Sequence, residues 1–260
     1  MKINKLIYTD IPKFISAITY FGKRKTIYSR GITFDIIIEN FITKFRARTF
    51  NHKEPDTLNW IDENMRPDDC FFDIGANIGI FSLYAYKKIK QKYFFDHKKF
   101  TVVSFEPEYS NLDQLKKNII LNKASENIIT YALALGNKTY LSYLHIQDLT
   151  PGSALHTESN KNISNTVSGK NILFKEGIAC YKLDDFVKLT GLFPTVIKID
   201  VDGNEIEIIE GAIKTLKNKK LKSIILEIDE GSNYKKLTKY LKAAKFKFKS
   251  KLNSNEIWSK

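Results

Sequence analysis

The sequence predicts an α/β fold in which a mostly parallel sheet carries helices on both faces, and two observations support that expectation. From Cys70 onward, short apolar runs alternate with longer stretches whose apolar residues recur at helical spacing. The chain then closes on "FKFKSKLNSNEIWSK", two short strands around an Asn/Ser turn, which gives the wound sheet an antiparallel final strand.

The elements follow in order. A length of 260 residues has room for one large domain, or for a domain with an appendage. Residues 1–50 read as an N-terminal strand and helix extension, and residues 51–260 as the main domain. The start, "MKINKLIYTDIPKF", interrupts its apolar residues with Lys and Asp and lacks a signal-peptide stretch. No apolar run reaches the roughly 18 residues of a membrane span. Phe14, Ile15, Ile18 and Phe21 have helical spacing, which suits a short helix docked on the core better than a membrane contact. "RKTIYSRGITFDIIIENFITKFRARTF" reads as two or three strands, and "KEPDTLNWIDENM" as a helix with Pro55 in its first turn. Beyond Cys70, strands are expected near 70–74, 101–106, 128–134, 195–201 and 222–229. Helices are expected near 79–91, 111–122, 204–217 and 233–244, and Leu183 with Asp184 and Asp185 opens another, capped by an Asp. Between 137 and 183 the alternation breaks: "TYLSYLHI" is a strand, and "TPGSALHTESNKNISNTVSGKN" is a polar loop suited to a lid or an acceptor wall.

Composition narrows the function. Forty-two basic against 29 acidic side chains leave a net charge of +13, with lysines distributed along the chain rather than gathered in one arm. That charge suits weak attraction to an anionic membrane surface or a phosphorylated substrate, and does not indicate specific nucleic-acid binding. The two cysteines, Cys70 and Cys180, read as reduced core thiols of a cytoplasmic protein. Four scattered histidines show no metal-ligand spacing, so no metal site is expected from them.

The chemistry concentrates in three stretches. In "FFDIGANIGIFS", Gly75 and Gly79 bracket a strand-to-helix turn through Ala76 and Asn77, and Asn tolerates positive φ. The spacing is D-x-G-x-x-x-G, not the G-x-G-x-x-G of dinucleotide sites. Asp73 would repel a pyrophosphate and attract a ligand bearing an ammonium and a sulfonium, which points to S-adenosylmethionine; the alternative is an Asp that caps its own turn. In "VVSFEPEYSNLDQLKKNIILN", Glu106 ends a strand at the sheet's carboxyl edge, where a carboxylate can accept from both ribose hydroxyls. Glu106 alone fits NAD or S-adenosylmethionine equally, and Asp73 favours the second. Pro107 stops that strand, and Ser110 or Asn111 caps the next helix.

In "PTVIKIDVDGNEIEIIEGA", Lys198, Asp200 and Asp202 share one phase of a strand that should be apolar on both faces. Asp202 and Glu205 could form a capping box or serve the site, whereas Lys198 and Asp200 have no capping role to explain them. Glu227 ends the next strand on the same edge, and His156 sits in the irregular loop.

Together "KEPDTLNWI", "FFDIGANIGIFS", "SFEPEYSNLDQLKKNI", "ALALGN", "LDDF" and "IKIDVDGNEIEIIEGA" resemble the FkbM-family S-adenosylmethionine-dependent methyltransferases over roughly residues 50–230. The resemblance implies a class I methyltransferase fold, a Rossmann-like seven-stranded sheet with its last strand antiparallel. It also implies O-methylation, often of a sugar, a surface glycan or a natural product. Carried over by motif, Asp73, Gly75, Ala76, Asn77, Gly79, Glu106 and Pro107 hold S-adenosylmethionine, and Asp200 lies nearest the methionine end and the acceptor. Asp202 departs from the family's more common Glu. Asp200 is the first expectation for the general base, with Glu227 or His156 behind it. Lys198, Asp202 and Glu205 stand around the acceptor, and a metal on Asp200 and Asp202 is the alternative activator. The rival readings are an RNA ribose 2′-O-methyltransferase and, further off, an NAD-dependent oxidoreductase.

Overall fold

The structure, a computed structural model, describes residues 23–92, 100–154, 156–160, 166–167, 170–228, 231 and 233–260. The helix expected around residues 14–21 lies outside the described residues.

Strands β1 (Lys23–Ser29) and β2 (Ile32–Ile38) form an antiparallel hairpin, followed by helices α1 (Phe41–Lys53) and α2 (Pro55–Asn64). The alternating part then runs β3 (Cys70–Ile74), α3 (Ile80–Lys92), β4 (Thr101–Phe105), α4 (Tyr109–Leu121) and β5 (Ile128–Tyr131). An insertion follows: β6 (Ala134–Gly136), β7 (Tyr140–Ile146), β8 (Thr157–Glu158), β9 (Thr166–Val167), β10 (Lys170–Asn171) and β11 (Phe174–Lys182). The chain ends with α5 (Leu183–Thr190), β12 (Val196–Ile199), α6 (Glu205–Gly211), α7 (Ile213–Lys217), β13 (Ser223–Glu227), α8 (Tyr234–Ala243), β14 (Lys247–Leu252) and β15 (Asn255–Ser259).

The main sheet has seven strands in the order β14-β15-β13-β12-β3-β4-β5. All neighbours are parallel except β15, which runs antiparallel to both β13 and β14. This is the expected Rossmann-like sheet with its antiparallel last strand. Phe71 and Phe72 show how it is held: successive side chains on a strand face opposite ways, so each ring anchors a different core. Phe71 joins Trp60, Tyr84, Val102 and the extension's Phe34, Ala47 and Phe50. Phe72 joins Phe105, Phe186, Ile197, Leu226 and Trp258 on the other face. No helix of the described residues is long and apolar enough to cross a membrane.

Four local expectations are corrected. "FITKFRARTF" is helix α1, not a third strand: Asn40 accepts from Thr43 N at 2.9 Å, Thr43 Oγ1 accepts from Asn40 N at 3.2 Å, and Thr43, Ala47 and Phe50 form its buried face. Helix α4 is capped by Glu108, which accepts from the Ser110 and Asn111 amides, rather than by either of those residues. Asp184 does not cap its own helix; it accepts from the amides of Lys214 and Thr215 at the start of α7. The helix expected over 204–217 breaks after Gly211, where a Cβ would lie 2.0 Å from the Gly136 carbonyl oxygen of the insertion.

The described part of the insertion builds regular strands. Strands β6, β11, β7 and β8 form a second, four-stranded sheet, within which β7 and β11 pair antiparallel from Tyr140 to Ile146. The hairpin edge is sealed by side chains of α4. Gln114, Asn118 and Asn122, spaced four residues apart on one helical face, bond the β2 backbone: Asn118 and Asn122 accept from Ile37 N and Asp35 N, while Gln114 donates to Ile37 O.

Candidate active site

At the carboxyl edge of the sheet lies a cleft with a central hollow of about 330 Å³. Two smaller lobes of about 50 and 70 Å³ adjoin it. Its floor is the turn after β3. Every amide of that turn is engaged internally. Gly75 N and Ala76 N donate to Phe105 O, Gly79 N donates to Ala76 O, Asn77 N donates to Glu106 Oε2, and Ile78 N donates to Asn77 Oδ1. A phosphate-binding turn presents free N–H groups; this one withholds all of them.

Its glycines serve chain packing. Gly75 has φ +76°, and a Cβ there would lie 1.9 Å from the Asp200 carbonyl oxygen. Gly79 has φ +83°, and a Cβ would strike Leu115. Asn77, at φ 51°, takes the third left-handed position, and its amide reaches across to Ser153 O at 2.7 Å. Gly75→Ala is therefore expected to cost more than 2 kcal/mol, since left-handed strain adds to displacement of the Asp200 backbone. A melting temperature within 2 °C of wild type would contradict it.

Asp73 is fully buried and lines none of the three hollows. Its Oδ2 accepts from Ser82 Oγ at 2.6 Å, and its Oδ1 stands 3.5 Å from Lys198 Nζ. It sits beneath the floor as the counter-charge of Lys198, not in the wall as a ligand contact. Lys198, 3 % exposed, bridges to Asp200 Oδ2 at 2.9 Å. Burial alone would lower its pKa, but Asp200 and Asp73 outweigh that and hold the ammonium above its ordinary value.

Asp200 and Glu227 form a second pair. Burial pushes the Asp200 carboxyl up, yet Lys198 and a hydrogen bond with Glu227 prevail and bring it to about 2. Glu227, which also accepts from Ser254 Oγ at 2.7 Å, is raised to about 7 by burial and by Asp200. Two neighbouring carboxyls with well-separated affinities for a proton are what an acid–base pair requires.

Glu106 is buried, accepts from Asn77 N at 2.8 Å and Glu108 N at 2.9 Å, and is raised to about 7 by burial against those two bonds. It faces the central hollow beside Pro107. Ala76 lines the lobe under α1, while Asp202 and His156 line both the centre and the other lobe. Burial lowers the His156 pKa, against attraction from Glu108, Asp202 and Asp148. Glu205 accepts from Gly203 N at 3.2 Å and is raised to about 7 by burial, but it lines a separate hollow of about 210 Å³ beside Tyr234. Asp202 is not the cap of α6: the N-cap position is Asn204, which makes no side-chain capping bond. Both cysteines are free thiols pushed up to about 12 by burial, so neither is a thiolate nucleophile. Among the described residues, no group of three or more His, Cys, Asp or Glu side chains is arranged to hold a metal ion.

The sequence reading missed Arg46, Lys53 and Glu54, which line the cleft from α1 and its junction with α2. The missed signal was the helical phase of α1, which puts Arg46 and Lys53 seven residues apart on one face. The roof, residues 148–154, overlaps the polar loop from Thr150 that the sequence marks as a lid or an acceptor wall. Asn111 Oδ1 accepts from Gly152 N at 2.6 Å, Arg46 Nε donates to Gly152 O at 2.6 Å, and Asn40 Nδ2 donates to Pro151 O at 2.9 Å.

In a protein of net charge +13, the walls of this cleft are acidic. Among the described residues, Glu54, Glu106, Glu108, Glu158, Asp200, Asp202 and Glu227 face three cations, Arg46, Lys53 and Lys198.

Known proteins resemble this chain. Hexuronic acid methyltransferase AglP of Haloferax volcanii is 26% identical over 206 residues, which cover 78% of this chain and 74% of that protein. The crystal structure of methyltransferase FkbM from Methylobacillus flagellatus aligns with a TM-score of 0.48 and 15% identity, over 96% of this chain and 60% of that one. A candidate S-adenosylmethionine-dependent methyltransferase from Streptococcus mutans, with TM-score 0.50 and 10% identity over 90% of this chain and 54% of that one, shares the fold. The methyltransferase FkbM domain model matches residues 73–248, and the chain belongs to the FkbM methyltransferase family.

Proposed function

We propose that the protein is an S-adenosylmethionine-dependent O-methyltransferase acting on a hydroxyl of a sugar, a surface glycan or a related small molecule. One observation carries the donor assignment: an acidic cleft whose floor turn offers no free amide. That combination disfavours a phosphate and suits a ligand with two positive centres. The absence of a G-x-G-x-x-G turn argues against a dinucleotide for the same reason.

The donor set fits the cofactor from end to end. Glu106 suits the ribose hydroxyls, and the lobe lined by Phe105, Pro107, Leu133 and Leu135 suits a flat adenine. In the lobe under α1, Glu54 and Asp200 suit an ammonium while Arg46 and Lys53 suit a carboxylate. The extension preceding residue 51 thereby belongs to the site, and the two free thiols are in keeping with a cytoplasmic enzyme. When bound, the cofactor supplies a methyl carbon activated by a positive sulfur, open to in-line attack by an oxygen.

This chain's residues then orient and deprotonate the acceptor. Asp200, held at about 2, stays ionised but is a weak base. Glu227, at about 7, is matched to take the hydroxyl proton near neutral pH, so the base role passes to it. Asp202 and His156 line the same hollow and are assigned to orient the acceptor. The name of the 26%-identical relative AglP, a hexuronic acid methyltransferase, supports a sugar as acceptor.

Calorimetry tests the donor assignment. The protein is expected to bind S-adenosylmethionine, and Glu106→Ala to weaken binding about 10- to 100-fold, the range for hydrogen bonds to a charged group. Absence of binding by the wild-type protein refutes the reading.

A further inference from the structure

Although lysines occur all along the chain, their excess over acidic residues is concentrated in the last fifty residues. Residues 211–260 contain fourteen lysines against four acidic side chains, and so hold ten of the chain's thirteen net positive charges. Lys236 pairs with Glu210 at 2.5 Å, and Lys251 with Glu256 at 3.6 Å. Lys235, Lys239 and Lys242 are exposed on α8 with no ion-pair partner among the described residues, and they repeat at i, i+4 and i+7, which puts them on one helical face. Lys245, exposed just past the helix end, extends the row. Along the axis the helix steps are about 6 and 4.5 Å.

The row also has a direction. Helix α8 follows β13, whose last residue is Glu227, so the row starts at the sheet edge that bears the cleft. The residues just before Lys235, Asn233 and Tyr234, line the 210 Å³ hollow with Glu205.

We propose that this lysine row is the track for an extended anionic polysaccharide, a polymer with repeating carboxylates, which carries the acceptor hydroxyl to the cleft. The proposal rests on the O-methyltransferase reading and names its substrate class. A linear array of separate cations complements a chain with regularly repeated anions. A membrane surface fits less well, because interfacial helices insert apolar side chains beside their cations. Here the apolar side chains of the row's own helix, Leu237 and Leu241, are buried in the core, and the half-exposed Phe248 lies beyond the helix on β14. Single-stranded nucleic acid fits less well too, since its binding grooves stack bases on exposed rings. The ring nearest the start of the row, Tyr234, is half-buried with its hydroxyl bonded to Glu256.

The test is fluorescence anisotropy with a labelled galacturonate decamer at low and raised salt. Wild type is expected to bind it, with affinity falling as salt rises. The triple variant Lys235→Gln/Lys239→Gln/Lys242→Gln is expected to bind at least tenfold more weakly with a shallower salt dependence. A control that removes the same charge elsewhere, Lys25→Gln/Lys116→Gln/Lys138→Gln, is expected to stay within twofold. Equal loss in the control, equal binding of a neutral sugar decamer, or no binding by wild type overturns the proposal. Tighter binding of a single-stranded RNA decamer, or of phosphatidylglycerol vesicles, overturns it in favour of those partners. Calorimetry with S-adenosylmethionine separates the two readings. Retained cofactor binding in the triple variant shows an intact fold and assigns its loss to the track. If wild type fails to bind the cofactor, the function reading falls whatever the decamer does.

Discussion

Lys198→Met is expected to lower the unfolding free energy by about 3–5 kcal/mol, the cost of stranding a charge in a buried pair. The variant leaves Asp73 fully buried with only the Ser82 hydroxyl beside it, and releases Asp200 from its 2.9 Å bridge. Chemical denaturation measures the loss. Adding Asp73→Asn to Lys198→Met is expected to recover part of it, because the remaining charge, Asp200, keeps Glu227 as a partner and has a side chain 33% exposed that can be hydrated. A single variant as stable as wild type, or a double variant no more stable than the single, would show that the pair is not what holds the floor of the cleft. The same experiment separates structure from ligand binding at Asp73, whose substitution acts on folding before it acts on any cofactor.

The second large effect is on turnover. Glu227→Gln is expected to reduce kcat about 10²- to 10⁴-fold, the usual contribution of a positioned base. Its affinity for S-adenosylmethionine should stay close to that of wild type. The sign of the pH dependence follows from the raised carboxyl. Below about 7 Glu227 carries a proton and cannot accept another; above it the carboxylate is available. Wild-type kcat should therefore rise with pH through about 7, and the variant should lack that limb. A methyl-transfer assay on glycan acceptors decides it, and a variant that keeps both its rate and its rising limb excludes Glu227 as the base. Lys198 draws the Asp200 carboxyl down, so the limb near neutral pH is the second ionisation of the pair, and the Glu227→Gln variant tests which carboxyl carries it.

The alternating half of the molecule was legible because its signals are local. Five apolar runs, helical periodicity between them and an Asn/Ser turn near the end suffice to specify the wound sheet and its antiparallel strand. Asp73, Glu106, Asp200 and Glu227 stood out as charges at the ends of apolar strands, and all four do lie at one sheet edge. Their division of labour was not legible. Whether Asp73 faces a ligand or a lysine depends on strand pairing, and the register of β12 with β3 sets Lys198 directly beside it. The extension was misread for a related reason. Phe41, Ile42, Thr43 and Phe45 favour strands by propensity, while the Asn40–Thr43 capping box and the Thr43, Ala47, Phe50 face decide for helix. With that helix went Arg46 and Lys53. The four-stranded insertion escaped because its pairings join Tyr140–Ile146 to residues 28 to 40 positions later, across a polar stretch with no periodicity.

The roof over the cleft has a consequence for how such measurements are interpreted. Residues 148–154 are tied down by the amides of Asn40, Asn77 and Asn111 and by one guanidinium nitrogen of Arg46. Carboxamides do not titrate, and a guanidinium keeps its proton throughout the working range. One tie is different: Ser153 Oγ also meets His156 Nε2 at 3.2 Å, so the latch combines ties that ignore acidity with one that does not. An acidity profile therefore reports the roof as well as the chemistry, whereas an Asn111→Ala substitution at fixed pH reports the roof alone.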